Sequence, residues 1–172
     1  VVVAEITASA LRLTRVAPLA GRLLTDADEQ PGAPAVVVIG RRTWETRFGS
    51  DPGVVGRRIR LGNMESTIVG VMPDGFEFPV FHEAWIPFRL NALDYKRGEG
   101  PEIRVVGRLA PQVTLEAARA ELSVIGRRTA AIFPDTNENL HPQVNTYARL
   151  AAGLSTEVSR AGDLGFSVGR CD

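Results

Sequence analysis

Residues 35–39 place the strongest constraint on the fold. They form an uninterrupted apolar run, Ala-Val-Val-Val-Ile, in which four side chains are β-branched, and Pro34 and Gly40 bound the run. A short run of this composition between two residues that interrupt regular structure is typical of a buried strand. The sequence therefore predicts a buried strand at this position.

Helical patterns lie on both sides of this strand. Residues 5–16 have apolar side chains at helical spacing, whereas residues 25–34 are polar and acidic and predict a loop that faces solvent. Residues 41–48 carry two aromatic side chains four positions apart, which places them on one face of a two-turn helix. Gly49 is well suited to end that helix, because glycine readily adopts the left-handed backbone conformation of a helix C-terminus.

A β-hairpin and a further strand are predicted next. Residues 58–61 and 67–71 have strand-like composition on either side of the dipeptide Gly-Asn at 62–63, which can adopt the positive φ angles of a tight turn. Residues 84–88 predict another short strand. Because proline lacks the amide hydrogen that a sheet needs, Pro87 confines this strand to an edge or to a strand end.

The second half of the chain shows a strand–helix–strand pattern. After a polar loop or boundary at 89–101, residues 103–109 predict a strand, and Thr114 is placed to cap a helix over 115–132. The apolar residues of that helix fall on one stripe, so we expect it to cover a sheet with one face. Residues 144–150 predict a last strand. Together the elements indicate an α+β protein with two lobes.

Charge and composition exclude several classes of protein. The 172 residues include 20 basic and 20 acidic side chains and are 44% hydrophobic, which is typical neither of a disordered segment nor of a nucleic-acid-binding protein. The single cysteine, Cys171, excludes an intramolecular disulfide and a thiolate metal site. The apolar runs are too short to cross a bilayer, so we expect a soluble chain. Its start at Val1 without a methionine indicates a piece of a longer protein.

Catalytic groups do not form a recognisable motif. The two histidines, His82 and His141, lie outside any nucleophile motif, and we predict that both are loop or surface residues and not catalytic bases. The arginine pairs at 41–42, 57–58 and 127–128 are spread over different elements, which favours solvated faces over a nucleic-acid groove. We therefore predict no catalytic residue.

Metal and cofactor sites are not predicted either. The densest acidic cluster, Asp26, Asp28 and Glu29, lacks the further ligands and the central glycine of a calcium loop, and we predict a solvated loop there. Residues 98–100, Gly-Glu-Gly, lack the strand-to-helix context of a phosphate-binding loop. Both tryptophans lie among apolar neighbours and are predicted to pack in a core. The residues by themselves thus indicate a binding or structural module.

Segments in a recognisable order run through residues 20–122. After Ala20-Gly21-Arg22 and the acidic loop they read AVVVIGRRTWETRFG, DPGVVGRRIRLGN, TIVGVMPDGFEFP, AWIPF and VVGRLAPQVTLEAARAEL. In this order they resemble the MacB-like periplasmic core domain of ABC transporter permeases, especially the duplicated orphan permease type of the FtsX-like superfamily. The resemblance covers about residues 4–150.

The resemblance implies an α+β fold of two lobes. Residues 1–34 and 101–150 would form one discontinuous lobe of βαβ type, and residues 35–100 would form a smaller inserted lobe with a strand, a helix and a hairpin. The family continues with a linker and a long apolar helix, whereas residues 151–172 are polar and contain Gly and Ser. We interpret these last residues as a truncation, a frame change or a flexible, disordered tail.

The resemblance also implies a function. Domains of this family lie outside the bacterial cytoplasmic membrane, while a separate ATPase hydrolyses ATP inside and drives their motion, a process called mechanotransmission. We expect this chain to be such an extracytoplasmic domain, without enzymatic activity or cofactor, engaged in export or in handling lipoprotein or peptide substrates. Its expected partners are the ABC ATPase, reached through transmembrane helices that this chain lacks, a second permease copy or half, and a periplasmic adaptor, but no nucleic acid.

Two other functions remain open. The first is a regulatory docking module that activates a cell-wall hydrolase, as in cell-division relatives of the same superfamily, and recovery of a hydrolase in a pull-down would favour it. The second is a hydrolase that uses His82 or His141, which would require an activity that disappears when both histidines are replaced. A neighbouring ATPase gene and flanking apolar helices would favour the transporter.

Overall fold

A computed structural model of the protein describes residues 1–96, 98–138 and 141–149, with only the backbone at position 92. The chain divides into two compact units, of which the first is Val1–Leu90 and the second begins at Asn91.

The first unit contains a mixed sheet and two helices. Its strands and α-helices, in chain order, are β1 (Val3–Ile6), α1 (Ala8–Thr14), β2 (Ala20–Gly21), β3 (Val36–Gly40), α2 (Arg41–Phe48), β4 (Arg58–Leu61), β5 (Met64–Met72) and β6 (Ala84–Pro87). A short 3-10 helix, Pro52–Val54, follows α2. The helix predicted at 41–48, the hairpin predicted from 58–61 and 67–71, and the strand predicted at 84–88 are confirmed at nearly those bounds.

The sheet places β3 near its centre. The strand order is β1-β6-β3-β5-β2, and β4 pairs with β5 beside this path. β1 runs parallel to β6 and β3 parallel to β5, whereas β3 and β6 are antiparallel, as are β5 with β2 and β5 with β4. Pro87 occupies the last position of β6, as predicted, so its missing amide hydrogen falls at the end of the strand.

Both faces of β3 are covered, which explains its uninterrupted apolar sequence. Side chains on one face pack with Leu11 of α1 and with Trp85. Side chains on the other face pack with Ile68 and with Trp44 and Phe48 of α2. Successive strand residues point to opposite faces, so only a strand buried on both sides needs apolar residues at every position. All five residues of β3 are buried, and the predicted buried strand is confirmed.

The first helix is shorter than the sequence indicates. Thr7 caps α1 by accepting a hydrogen bond from the Ala10 amide at 3.2 Å, and Arg15 ends it with a left-handed backbone at φ 58°. Helical spacing from residue 5 suggested an earlier start, but residues up to Ile6 pair with β6 as strand β1. Tertiary pairing overrides the local pattern at this point.

Two glycines allow β2 to approach β5 closely. A Cβ atom built on Gly70 would lie 2.1 Å from the Arg22 carbonyl oxygen, and one built on Gly21 would lie 2.1 Å from the Val69 carbonyl oxygen. No side chain fits at either distance, so glycine is required for this strand pairing.

The second unit is built around one long helix. Helix α3 (Leu115–Ile132) is confirmed at the predicted bounds, and Thr114 caps it by accepting a hydrogen bond from the Ala117 amide at 3.2 Å. A short helix, α4 (Pro134–Asn137), follows, and the 3-10 helix Ala92–Asp94 precedes both.

The prediction of strands at residues 103–109 and 144–150, in the second unit, is wrong. Residues 101–110 have no regular structure, and residues 147–149 are helical, while residue 150 lies outside the described part of the chain. A strand is stable only when another strand satisfies its backbone groups, and no strand occurs among the described residues after Leu90. That α3 covers a sheet with its apolar stripe stays a prediction.

The observed grouping of residues differs from the predicted division into lobes. Residues 3–6 and 20–21 share one sheet with residues 36–87, although the prediction placed 1–34 and 35–100 in different lobes. That residues 1–34 and 101–150 form one lobe stays a prediction. The predicted tail at 151–172 lies outside the described residues.

Candidate functional site

The acidic loop at residues 25–34 makes several side-chain hydrogen bonds within the first unit. The Asp28 carboxylate accepts two hydrogen bonds from the Arg22 guanidinium, at 2.6 and 2.9 Å, and two from Thr25, from its amide at 2.7 Å and its hydroxyl at 2.8 Å. Asp28 is only 7% exposed. The prediction of a solvated loop is therefore wrong for this residue, because its partners replace the water that it loses.

The pKa of Asp28 follows from this environment. Burial by itself would raise the pKa of the carboxyl group, but hydrogen bonds from Arg22 and Thr25 and the charge of Arg22 outweigh burial and lower the pKa to about 2. Asp28 is thus ionised at every physiological pH. The same pairing raises the pKa of Arg22. The pair is a fixed structural contact and not a proton donor or acceptor for chemistry.

Other residues attach the same loop to helix α1. Glu29 accepts a hydrogen bond from the Ala8 amide with its Oε1, at the first residue of the helix. Asp26 forms an ion pair with Arg12 at 2.9 Å, in which both side chains are exposed. The three carboxylates therefore bond to different partners and do not converge on one point. Among the described residues, no group of three or more His, Cys, Asp or Glu side chains is arranged to hold a metal ion.

Arg89 attaches the loop to the end of the sheet. Its Nε donates to the Asp28 carbonyl oxygen at 2.9 Å, and its Nη2 donates to the Pro34 carbonyl oxygen at 2.8 Å. Arg89 follows β6 by two residues, so these bonds join sequence positions 61 and 55 residues apart. Loop 25–34 is thereby bonded to Arg22, the residue after β2, to α1, and to the segment after β6.

The histidines lie in different environments. His82 is 4% exposed, and its Nδ1 accepts a hydrogen bond from the Val80 amide at 3.2 Å. Burial lowers the pKa of His82, so the side chain is neutral near pH 7. The prediction of a loop position for His82 is right, but it is buried and not at the surface. His141 is exposed in a segment without regular structure, as predicted.

The tryptophans pack in the core, as predicted. Trp85 is fully buried, its Nε1 donates to the Phe78 carbonyl oxygen, and the Phe76 ring meets it edge-on at 5.0 Å between centroids. Trp44 is half-buried and donates from its Nε1 to the Asp51 carbonyl oxygen at 2.8 Å. Both indole N–H groups are thus occupied by backbone carbonyls.

The remaining sequence candidates lie at the surface. The arginine pairs at 41–42, 57–58 and 127–128 are exposed, as predicted. Gly98 has φ 82°, and Glu99 donates its amide to the Lys96 carbonyl oxygen at 3.0 Å, which makes this segment a turn. A turn of this kind offers no helix N-terminus for a phosphate.

A small cleft lies at one end of the sheet of the first unit. Its volume is about 140 Å³, and it is lined mainly by apolar side chains together with Glu5, Ser66 and Arg89. Sites for small organic ligands are usually about 300–1,000 Å³. Because Arg89 is already bonded to two carbonyls of loop 25–34, we assign no ligand to this cleft.

The second unit presents an apolar surface. On α3, Leu122, Ile125 and Ile132 are 37%, 48% and 60% exposed, and Val105 before the helix is 86% exposed. Among the described residues, no helix is both long and apolar enough to span a bilayer.

Comparison with known proteins identifies the class, which is the periplasmic part of an ABC transporter permease. The model of the MacB-like periplasmic core domain matches residues 1–125, and the chain therefore belongs to this family. No curated protein matches the chain. The resemblance based on the ordered segments is confirmed, and with it an extracytoplasmic location.

A solved structure shows the same fold. The crystal structure of the periplasmic region of MacB from Actinobacillus actinomycetemcomitans matches with a TM-score of 0.56 and 14% sequence identity. The match covers 89% of this chain and 64% of that chain, so this chain spans less than two thirds of the length of its structural relative. The predicted α+β class is confirmed.

Sequence reasoning missed most of the contacts around loop 25–34. One local signal was present, because Thr25 precedes Asp28 by three residues, the capping-box spacing at which an acidic side chain reaches back to a threonine amide. No local pattern marks Arg22 or Arg89 as partners of this loop, and Arg89 bonds only to backbone carbonyls, whose accessibility depends on the complete fold.

Proposed function

We propose that this chain is a passive moving part of an ABC transporter, which transmits ATP-driven motion across the membrane to drive export or substrate handling in the periplasm. The observation that carries the proposal is the family match over residues 1–125. In this proposal the chain is not an enzyme and needs no cofactor, because the ATPase that supplies the energy is a separate subunit or domain.

The first unit has the physical properties that such a part requires. A body transmits displacement only if it resists deformation, and closely packed interiors have low compressibility. The side chains of β3 are buried on both faces, and loop 25–34 is bonded to the residue after β2, to helix α1 and to the segment after β6. These contacts support a unit that moves as one body when it is pulled.

Its partners follow from the same proposal. The ATPase acts through transmembrane helices of a longer permease, a second permease copy or half completes the transporter, and a periplasmic adaptor receives the motion. The formal net charge of zero gives no electrostatic reason for nucleic-acid binding.

A distance measurement in the complete transporter tests the proposal. Arg42 is exposed on α2, so an Arg42→Cys permease, freed of other cysteines, carries one spin label per copy. We expect the label-to-label distance to change when ATP is added and the ATPase is trapped with vanadate. A transporter whose ATPase lacks its phosphate-binding lysine is the control and should not respond. An unchanged distance in the intact transporter would contradict the proposal.

The exposed apolar residues of the second unit favour a second candidate, a regulatory docking module that activates a cell-wall hydrolase. Contiguous exposed apolar patches mark sites that bind another protein, and Val105 and Ile132 are 86% and 60% exposed. Capture of an identified cell-wall hydrolase, lost in the Ile132→Asp variant and kept in the exposed-surface variant Arg128→Asp, would favour this candidate. Capture of an adaptor or outer-membrane channel would favour the transporter.

A further inference from the structure

Arg89 lies where the chain leaves the first unit. The Phe88 amide donates to the Ile6 carbonyl oxygen at 3.1 Å, which is the last bond between the β6 segment and β1. Arg89 follows directly, and the first unit ends at Leu90. In the described part of the chain, the covalent connection between the two units is therefore the peptide bond between Leu90 and Asn91, one residue beyond the Arg89 contacts.

The two carbonyl groups that Arg89 contacts belong to a loop that is itself held in place. Asp28 is bonded to Arg22 and Thr25, and its neighbour Glu29 is bonded to the first amide of α1. A displacement of Arg89 must therefore displace the loop, and a displacement of the loop must disturb β2 and α1. The segment after β6 is thus tied to parts of the sheet that are distant in sequence.

We propose that Arg89 is a force-transmitting anchor, through which a pull on the Leu90–Asn91 bond enters loop 25–34 and helix α1 instead of separating β6 from β1. This inference goes beyond the proposed function, because it concerns how the isolated chain resists a directed force, whichever machine applies that force.

The geometry explains why an anchor changes the response to force. Strand β6 pairs with β1 over four residues. A pull directed away from β1 loads the bonds of this pairing one after another, beginning with the Phe88 bond. Arg89 adds two hydrogen bonds from a charged donor, and its rigid guanidinium loads both at once. Lysine has a single ammonium on a flexible stem and cannot reproduce this two-point contact.

Single-molecule force spectroscopy on the 172-residue chain separates an anchor from an ordinary stabilising residue. Cys171 is replaced by Ser, and handles are attached through new cysteines at exposed positions. In the first geometry the handles are at Arg42→Cys and Glu102→Cys, so the covalent path between them includes the Leu90–Asn91 bond. In the second geometry they are at Arg42→Cys and Arg60→Cys, both inside the first unit, and the load does not pass through residue 89.

We expect Arg89→Ala to raise the unfolding rate at a given force about tenfold in the first geometry, since hydrogen bonds to charged groups are worth about that factor or more. In the second geometry we expect a change of less than about twofold. Arg89→Lys should lie between Arg89→Ala and the parent chain in the first geometry. Arg47→Ala, which removes another exposed arginine of the first unit, is the matched control and should change neither rate.

Two results would overturn the inference. Equal acceleration in both geometries would show that Arg89 stabilises the unit in general and anchors nothing. Unchanged rates in both geometries would show that the two hydrogen bonds carry no load. If Arg89→Ala does not fold, the same comparison is made with Arg89→Lys. Because no ATPase or membrane takes part, either outcome is independent of the vanadate experiment on the complete transporter.

Discussion

The two units of this protein use similar apolar residues with opposite results. In the first unit, Ile68 and Trp85 are fully buried against residues of several strands and helices. In the second unit, Ile125 lies on an equally regular apolar stripe of α3 and is about half exposed. The comparison shows that an amphipathic pattern determines which face of an element is apolar, whereas burial requires a second surface that the pattern does not supply.

The largest expected effect comes from a matched pair of isoleucines. Ile68→Ala removes a fully buried side chain, and we expect it to lower the free energy of unfolding of the first unit by about 2–5 kcal/mol. Ile125→Ala removes a side chain that is half exposed, and we expect less than about 0.5 kcal/mol. Urea denaturation measures both variants, because tryptophan fluorescence follows the first unit, which contains both tryptophans, and far-UV circular dichroism follows helix α3 of the second unit. Equal losses would contradict the difference between the units.

A matched pair of glycines, one in each unit, tests whether close backbone packing is confined to the first unit. Gly70→Ala would place a Cβ atom against the Arg22 carbonyl oxygen, and we expect a loss of about 1–3 kcal/mol in the free energy of unfolding. Gly107→Ala in the second unit meets nothing within 4 Å, and because alanine restricts the unfolded chain we expect no loss. Thermal unfolding followed by circular dichroism distinguishes the two variants. A Gly70→Ala protein as stable as the parent would show that β2 does not need its close approach to β5.

The lowered pKa of Asp28 predicts that part of the free energy of unfolding is lost in acid. Its pKa is lowered to about 2 in the folded protein from about 3.8 when unfolded, so the carboxylate stabilises the folded state above about pH 4 and loses this effect as the pH falls toward 2. We expect Asp28→Asn to cost about 2 kcal/mol at pH 7 and progressively less at lower pH. Urea denaturation from pH 7 to pH 2 measures the difference. Asp135→Asn, at an exposed position of the second unit, is the control and should leave the curve unchanged.

His82 predicts a smaller effect of pH. Because burial lowers its folded pKa below the unfolded value of 6.5, the unfolded state binds a proton more readily, and stability falls as the pH drops below about 6.5. We expect His82→Gln to reduce this decrease between pH 7 and pH 5, whereas His141→Gln, at an exposed position, should not. A parent protein whose stability is constant over this range would contradict the assignment of His82 as a buried neutral group.

Local patterns predicted those elements whose boundaries depend on neighbouring residues. Helix α3 begins at the residue after Thr114 because a threonine side chain can accept a bond from its own first turn, and α2 ends where Gly49 adopts a left-handed backbone. Strand β1 was missed, because its pairing with β6 joins residues about 80 positions apart. The strands at 103–109 and 144–150 were predicted wrongly for the converse reason, since a strand-like sequence forms a strand only beside a partner.

The candidate site also combines features that local sequence predicts with features that depend on the complete fold. Composition correctly indicated a turn-rich acidic loop at residues 25–34, but it suggested exposure for Asp28, which is buried. An isolated carboxylate is more stable in water than in a protein interior. Only the hydrogen bonds from Arg22 and Thr25 make the burial of Asp28 favourable.

The amino-acid sequence by itself determined the buried strand β3, the hairpin, the two capped helices and the family, because each depends on residues close together in the chain or on their order. Tertiary structure alone decided the order of the strands, the burial of Asp28 and His82, and the bonds of Arg89 to a loop some 60 residues earlier. The physical reason is that these features depend on which surfaces come into contact when the chain folds. Short-range periodicity in the sequence does not determine those long-range contacts.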